Sequence, residues 1–300
     1  MSPVSPVTAL ERARVGMRRA AVRHQLEAVA SGKSKKLSLD LEDKSVDVAS
    51  ALGQLTRRFL PKSPQIQRLA WTFYHSGITD KVIDRLASSD AIERRKSARI
   101  VGALYLERAV SWIAPLVLSG DRSLSDAAAR ALGRIGGARS AEALLMAIHR
   151  SGLRRTLITE LARAAPDLFL EVVMTQSNPQ RPNDVPAAAL AAGLRRRHTA
   201  IGPLLALLMH GNRKERVISC RSLGWIGSGT ATSVLIGALE DDDWKVRMSA
   251  AKALGALRAE LAEPNLERLL GDRNPRVCKA AESALRRLER GERIASIAWL

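Results

Sequence analysis

The sequence predicts an all-α fold, a right-handed α-solenoid in which pairs of helices stack with a 31-residue period. The stretch Asp241–Leu257 returns 31 residues later at Asp272–Leu285 and 31 residues earlier at His210–Ile226. Aromatic residues make up 3% of the chain and apolar residues 46%, which is typical of closely packed helices rich in Ala and Leu. Apolar residues at three- and four-residue spacing predict one buried face for the repeated helix: Val246, Ala250, Ala253, Leu254 and Leu257.

One column of this repeat defines the register of the whole array. Its predicted members are Ala70, Val101, Leu132, Leu161, Ala192, Leu223, Leu254 and Leu285. The next residue is small in six units (Gly102, Gly133, Ala162, Gly193, Gly224 and Gly255), and the exceptions are Trp71 and Arg286. Glycine costs ~1 kcal/mol in a helix interior, so its recurrence predicts that neighbouring helices approach closely at this column.

Each unit is predicted to contain a first helix, a short turn and a second helix. An Asp or Asn eleven residues before the column suits the N-cap of the first helix: Asp90, Asp121, Asn212, Asp243 and Asn274. Asp243 and Arg247 are also spaced for an ion pair within one helix. The clearest second helices are predicted at Ala109–Leu118, Ala141–His149, Ile201–His210 and Ala231–Leu239.

Residues 1–60 are predicted to form a basic helical extension, and residues 61–300 an array of about seven to eight units that is irregular at 150–190. The extension contains helices at Thr8–Ala30 and Asp43–Leu60, joined by a mobile basic linker at Ser31–Lys36. The proline-rich stretch Gln176–Pro186 is predicted to be an extended loop, a hinge or part of a binding lip. At the end of the chain, Ile294, Ile297 and Trp299 are expected to cap the array or to dock a partner.

The net charge of +18 indicates an anionic partner, for which nucleic acid and anionic lipid are the obvious candidates. The charge is +9 over residues 1–100, +7 over 101–220 and +2 over 221–300, so the first two-thirds of the chain should attract such a partner most. A purely compositional origin in an Arg- and Ala-rich genome stays open.

The cysteines and the hydropathy of the chain indicate the cellular compartment of the protein. Cys220 and Cys278 lie in non-equivalent columns, which argues against a disulfide and is compatible with a reducing compartment. No apolar stretch reaches the ~18 residues that a membrane span needs, and no secretory leader is evident. We therefore expect a cytoplasmic protein, with peripheral membrane association left open.

The pattern Asp-x-x-Val-Arg-x-x-Ala-Ala-x-Ala-Leu-Gly at Asp243–Gly255, followed by a Leu-rich second helix, resembles the HEAT repeat. The 31-residue period is similar to the short bacterial type named after phycobilisome lyases, and the resemblance covers about residues 62–290. It implies an armadillo-like scaffold for protein contacts. It carries little information about activity.

Three enzymatic relatives were compared with the residues present. Deoxyhypusine hydroxylases hold di-iron with His-Glu dipeptides, but the five histidines here are followed by Gln25, Ser76, Arg150, Thr199 and Gly211. Phycobilin lyases offer no compact signature to place on this chain, and the Trp and Asp arrangement of HEAT-like DNA glycosylases has no match residue by residue. No metal-ligand spacing, phosphate-binding loop or nucleophile elbow is present in the sequence, and the acidic run Glu240–Asp243 is better explained as a helix cap than as a cation site.

Recurring basic clusters are the candidate binding residues, because stacking could align them as one stripe for phosphate contacts. They are Arg94, Arg95, Lys96, Arg154, Arg155, Arg195, Arg196, Arg197, Arg213 and Lys214. Trp244, in the first turn of its helix, is a candidate recognition aromatic, whereas Trp112 is predicted to be core and Trp225 to pack between repeats.

The sequence thus favours a non-enzymatic scaffold or adaptor that binds another protein, acidic in character, with no cofactor and no metal. The alternative is a nucleic-acid-binding HEAT-like protein, with glycosylase-like activity as one form of it. A phycobilin-lyase-type lyase or chaperone is a third possibility.

Overall fold

The protein is all-α over the residues that its computed structural model describes, which are 6–41, 47–176 and 178–290. Those residues form α-helices and short 3-10 turns and contain no strand. The predicted cap or docking residues Ile294, Ile297 and Trp299 lie outside the described residues. The chain forms two compact units, Met1–Ala143 and Leu144–Leu300.

The α-helices of the first unit are α1 Pro6–Ser31, α2 Val48–Thr56, α3 Pro64–His75, α4 Ile78–Asp84, α5 Ala91–Ala103, α6 Val110–Ile113 and α7 Arg122–Ile135. The next helix, α8 Ala138–Ser151, contains the boundary between the units. The α-helices of the second unit are α9 Arg155–Ala164, α10 Asp167–Thr175, α11 Asp184–Leu194, α12 Ile201–His210, α13 Arg213–Ile226, α14 Thr232–Gly237, α15 Trp244–Leu257, α16 Glu263–Arg268 and α17 Pro275–Arg290.

The predicted caps are confirmed. Asp90, Asp121 and Asp243 accept backbone N–H bonds in the first turns of α5, α7 and α15, and Asn274 accepts the N–H of Arg276 in α17. Asn212 forms a reciprocal capping box with Glu215 at the start of α13. Each first helix from α5 onward, apart from those in the irregular segment 150–190, therefore begins where the repeat predicts.

The second helices are confirmed with one refinement. α12 has the predicted bounds Ile201–His210, and α8 is longer than predicted. The others combine a short α-helix with 3-10 turns, as in Glu107–Leu118 around α6 and Gly229–Glu240 around α14. α6 and α14 thus contain only 4 and 6 α-helical residues, and the first helices of neighbouring repeats pack against one another.

Successive first helices pack side by side in the second unit, in the order α9, α11, α13, α15, α17. Lys214 near the start of α13 bonds Asn183, the N-cap residue of α11, while Gly193 near the end of α11 lies against Ser222 near the end of α13. The two helices are therefore parallel and in register. This arrangement is an all-α solenoid.

The small-residue column forms the closest contact between these helices, as predicted. A Cβ added at Gly193 would lie 2.7 Å from Ser222 Cβ, and one at Gly255 would lie 2.8 Å from Ala284 Cα. In the first unit, a Cβ at Gly102 would meet Ala131 Cα at 2.7 Å. Distances below 3.0 Å leave no room for a methyl group, so glycine is required by the approach of the neighbouring helix.

The start of the array differs from the prediction. α2, and not α3, packs against α5, whereas α3 packs against α1 and α4. Trp71, which follows the column member Ala70 where most units have a small residue, is exposed on α3. The domain boundary at residue 60 stays a prediction.

Two local predictions near the N-terminus are also corrected. α2 is shorter than Asp43–Leu60, since Asp47 caps it and residues 42–46 lie outside the described part. The linker predicted to be mobile is held by hydrogen bonds, among them Ser34 N–H to Ala28 O at 3.1 Å and Arg68 Nε to Ala30 O at 3.0 Å. Backbone carbonyls at the end of α1 thus fix the linker.

The proline-rich stretch Gln176–Pro186 is shorter as a loop than predicted. α10 ends at Thr175 and α11 begins at Asp184, so Pro186 lies in the first turn of α11, where proline is tolerated. The column members Leu161 and Ala192 are both fully buried, which confirms the register assigned to this irregular segment.

We expect Gly193→Ala to lower the free energy of unfolding by about 1–3 kcal/mol, because the new methyl group would collide with Ser222. Gly202→Ala in α12 is the matched control, since nothing lies within 4 Å of its added Cβ and alanine favours helix by ~1 kcal/mol. Urea unfolding followed by circular dichroism measures both. Equal midpoints for the two variants would contradict the close-approach argument.

The two thiols should differ in reactivity. Cys220 is fully buried, and burial raises the pKa of its thiol to about 12, whereas Cys278 is partly accessible. Only the thiolate is nucleophilic, so iodoacetamide should alkylate Cys278 in the native protein and reach Cys220 only after α13 opens. Peptide mass spectrometry over time checks this, with urea-unfolded protein as the reference. Equal native rates at both thiols would contradict the burial of Cys220.

Candidate interaction surfaces

The predicted basic residues of the first unit lie in the first half of α5. Arg95 donates a hydrogen bond of 2.8 Å to Ser123 Oγ in α7, and the Nε atom of Arg94 is buried without a hydrogen-bond partner. Lys96 lines a small cavity together with Asp90 and Glu93 of the same helix. These three cations thus lie at the junctions of α5 with its neighbours.

The basic residues of the second unit lie at two opposite ends of the first helices. Arg154 and Arg155 are at the start of α9, and Arg213 and Lys214 are at the start of α13. Arg195–Arg197 instead follow the last turn of α11. Because the first helices are parallel, the second unit does not align these clusters in a single stripe.

Several of these charges are used within the second unit. Arg213 Nε lies 2.7 Å from Asp243 Oδ2, and Lys214 Nζ donates to Asn183 Oδ1 at 2.8 Å. Arg197 pairs with Asp167 at the start of α10 and also contacts the carbonyl of Ala165. The predicted binding residues are therefore partly structural, and Arg195 and Arg196 are the exposed pair beside Arg197.

Trp244 is half-buried and lies among cations. The ammonium of Lys245 and the guanidinium of Arg276 each lie 5.5 Å from its ring centre. Cations over an indole face stabilise it electrostatically and cover part of the ring. Contacts within the second unit thus account for the partial burial of the Trp244 ring. A role of Trp244 in recognition stays a prediction.

The acidic run Glu240–Asp243 is used by arginines of neighbouring repeats. Asp241 accepts two hydrogen bonds from Arg216, at 2.8 and 3.0 Å, and Asp243 caps α15 while pairing with Arg213. The prediction that the run serves as a helix cap is confirmed. Among residues 6–41, 47–176 and 178–290, no group of His, Cys, Asp and Glu side chains could hold a metal ion.

The Arg216–Asp241 pair recurs one period later as Arg247–Asp272. The second pair is also bidentate, at 2.7 and 3.0 Å, and Arg247 further donates to the carbonyl of Asp241. The side chains of Arg247 and Asp272 are largely buried, and the hydrogen bonds from Arg247 lower the pKa of Asp272. We name these two pairs the ladder.

The predicted partner of Arg247 was wrong. The sequence spacing suggested Asp243, one turn earlier, but Arg247 reaches Asp272 in the next repeat. The 31-residue recurrence of both Arg and Asp was the signal that could have revealed the ladder. Cys278 occupies the equivalent position in the last unit, where its Sγ–H donates to the carbonyl of Asp272 at 3.1 Å.

Exposed apolar side chains lie on the second helices α10 and α12, which contact each other, and α10 also contains the half-buried Asp167 and Glu171. Leu168 is 71% exposed and Met209 61% exposed, and Val172 is exposed between them in sequence. α12 contains no charged residue other than a titratable His at its end. We name this α10–α12 surface the apolar face.

The basic pair Arg195 and Arg196 lies at the edge of the apolar face. Both residues precede the 3-10 turn His198–Ala200 that leads into α12, and this turn also packs against α10. The neighbouring Arg197 is paired with Asp167, the first residue of α10. Exposed cations therefore border the apolar face where α10 and α12 begin.

The tryptophans divide differently from the prediction. Trp225 is buried, which confirms that it packs within the array, but Trp112 is 50% exposed and is not core. Trp112 lies in the short helix α6, whose buried contacts come from Val110 and Ile113. Trp71 and Tyr74 on α3 are a further exposed aromatic pair that the repeat register concealed.

Comparison with known proteins identifies part of the array. Residues 186–286 match the family model described as HEAT repeats. Residues 186–286 are HEAT repeats. They contain α13, α15 and the ladder, and the finer resemblance to the phycobilisome-lyase type stays a prediction. No curated protein matches the chain.

Solved structures similar to the chain include human deoxyhypusine hydroxylase in complex with glycerol. The two sequences are 18% identical, the match covers 94% of this chain and 99% of that chain, and the TM-score is 0.37. Importin beta has 16% identity over 83% of this chain and 37% of its own, with a TM-score of 0.42. An engineered protein has 20% identity over 71% of this chain and 99% of its own, with a TM-score of 0.37. Likeness at these values does not bear on activity or partners.

None of the described helices combines the length and the apolar character required to cross a membrane.

We expect Asp272→Ala to destabilise the second unit by about 3 kcal/mol at neutral pH, because it leaves Arg247 largely buried without its carboxylate. Since the pKa of Asp272 lies below its ordinary 3.8 in the folded protein, the stabilisation is complete above that value and is lost as the pH falls through the folded-state pKa. The difference between wild type and variant should therefore shrink in strong acid. Urea unfolding across the acidic range measures it.

Asp242→Ala is the matched control, because Asp242 is exposed and contacts Arg247 through its backbone carbonyl. Its effect should stay within about 0.5 kcal/mol at every pH. If Asp272→Ala lowered the free energy of unfolding by the same amount at every pH, the charge of the carboxylate would not contribute to stability.

Proposed function

We propose that this protein is a non-enzymatic scaffold that binds another protein through the apolar face of its second unit. The observation that carries the proposal is the exposure of Leu168, Val172 and Met209 on α10 and α12, two second helices that contact each other. Exposed contiguous apolar surface on a soluble protein marks an interaction site. The HEAT repeats at 186–286 support this role, since stacked repeats create extended binding surfaces.

The border of the apolar face defines the kind of partner. Arg195 and Arg196 are exposed beside it, and Arg197 is held in place by Asp167. Cations at the rim of an apolar contact steer an acidic partner and contribute less to affinity than the buried centre. The proposed partner is a protein that presents an apolar segment next to acidic residues, in the cytoplasm.

The test is affinity purification of the tagged full chain from the cells that make it, with nuclease treatment. Leu168→Gln/Val172→Gln should lose the partner that wild type retains, because each side chain contributes ~1.5–3 kcal/mol when fully buried in a contact. Leu261→Gln is the matched control, since Leu261 is also exposed in the second unit but lies outside α10 and α12. Titration calorimetry with the purified partner then gives the affinities.

The rim is tested separately. Arg195→Gln should weaken binding modestly and reduce its dependence on salt, whereas the α10 double variant should weaken binding at every salt concentration. Retention of the partner by the α10 double variant would overturn the proposal. Loss of every partner from wild type after nuclease treatment would also overturn it.

A further inference from the structure

Helix α3 has a buried apolar face and an exposed aromatic face. Ile66, Leu69 and Phe73 are buried, while Trp71 and Tyr74 are both more than half exposed, Trp71 at 51%. In the helix register, Trp71 and Tyr74 are one turn apart and share a side. α1 and α4 pack against α3, whereas α2 takes the place on α5 that α3 would have in the repeat.

The exposed rings form one continuous cluster. The ring centres of Trp71 and His75 are 4.0 Å apart with a tilt of 31°, and the rings of Tyr74 and His75 meet edge to face at 5.3 Å. The guanidinium of Arg108 lies 5.0 Å from the Tyr74 ring centre. His75 and Arg108 thus support the two exposed rings from within the first unit.

The linker after α1 forms a groove with α3, in which Trp71 is the aromatic residue. Gly32 has a φ of +82°, and the bond from Arg68 Nε to Ala30 O holds the turn against α3. Lys35 then faces Trp71 across a groove of about 460 Å³. Its other lining residues include Pro64, Gln67, Arg68 and Thr72.

The groove is positively charged. Lys35 and Arg68 line it, and none of the acidic residues that the structure describes does. Lys33 and Lys36 are exposed on either side of Lys35 in the same linker. On the other flank of α3, by contrast, the cations are paired: Lys62 with Glu107 at 3.2 Å, and Arg108 with Asp80 at 2.8 Å.

We propose that this groove binds single-stranded nucleic acid. An unpaired base would stack on the free face of Trp71, and the adjoining phosphates would lie against Lys35 and its neighbours Lys33 and Lys36. Stacking on an aromatic ring beside a basic track is the arrangement by which proteins hold single strands without reading their sequence. A duplex is not expected to bind in this way, because its bases are paired and stacked on one another.

The site lies in the first unit and is independent of the apolar face. Its cations belong to the most basic third of the sequence, at +9 over residues 1–100, which attracts phosphates at long range. An acidic peptide would satisfy the lysines, but it would leave the exposed indole face without a planar partner. The observations therefore favour a nucleic acid strand over an acidic peptide.

The test measures binding of a fluorescein-labelled oligothymidine and oligouridine, each about twelve nucleotides long, to the full chain by anisotropy. Trp71→Ala should weaken binding about 5- to 150-fold, the range expected for one stacked base. Trp112→Ala is the matched control, since Trp112 is equally exposed in the same unit but does not line this groove. Circular dichroism melts should show that both variants remain folded.

Lys35→Ala separates the phosphate contact from stacking. It should reduce the slope of log affinity against log salt by about 0.7, whereas Trp71→Ala should leave the slope unchanged. A tighter complex with oligouridine than with oligothymidine, or the reverse, would identify the strand type.

Three outcomes would overturn the proposal. Trp71→Ala and Trp112→Ala could bind the strand with the same affinity, which would mean that charge alone attracts it. A duplex of the same length could bind as tightly as the single strand, which would exclude base stacking. Polyglutamate could displace the strand as efficiently as an unlabelled strand at equal charge, which would assign the groove to an acidic peptide. None of these outcomes would contradict the proposed role of the apolar face in the second unit.

Discussion

Neighbouring first helices in this protein approach so closely that one methyl group at Gly193 or Gly255 would collide with the next helix. This approach fixes the parallel register of α11 and α13, and the N-terminal turns of neighbouring first helices then lie side by side. Only in that register can Arg247 reach Asp272 across the turn of the next repeat. The ion-pair pattern of the second unit therefore depends on the close packing of its first helices.

The period alone predicted much of the fold. It placed the caps, the α12 bounds and the buried column, because these depend on local hydrogen bonding and on a strict hydrophobic spacing. It failed for α3, since the sequence of α3 fits the first-helix pattern but α2 occupies the stacking position on α5. It also failed for Trp112: the spacing matched a core column, but the second helix there winds partly as 3-10, which turns that side chain outward.

The candidate surfaces were less predictable because charge in a sequence does not reveal its partners. Arg197 and Arg213 counted equally with Arg195 in the predicted stripe, but carboxylates of the second unit engage the first two. The apolar face was hidden for the opposite reason: Leu168 and Met209 resemble core residues in sequence, but none of the described helices covers their side chains. To predict the exposed charges or the apolar face, one would need to know which helices are neighbours and which helix faces have none.

The ladder also has a consequence for how such an array lengthens. Each repeat in the ladder supplies an arginine for the unit that follows and an aspartate for the unit that precedes it, as Arg216–Asp241 and Arg247–Asp272 illustrate. Duplicating one such 31-residue period in tandem adds one donor and one acceptor together, so no buried charge is stranded. Gene duplication can therefore change the number of units without a compensating mutation, and in the unit after the ladder the neutral Cys278 stands where the arginine would be.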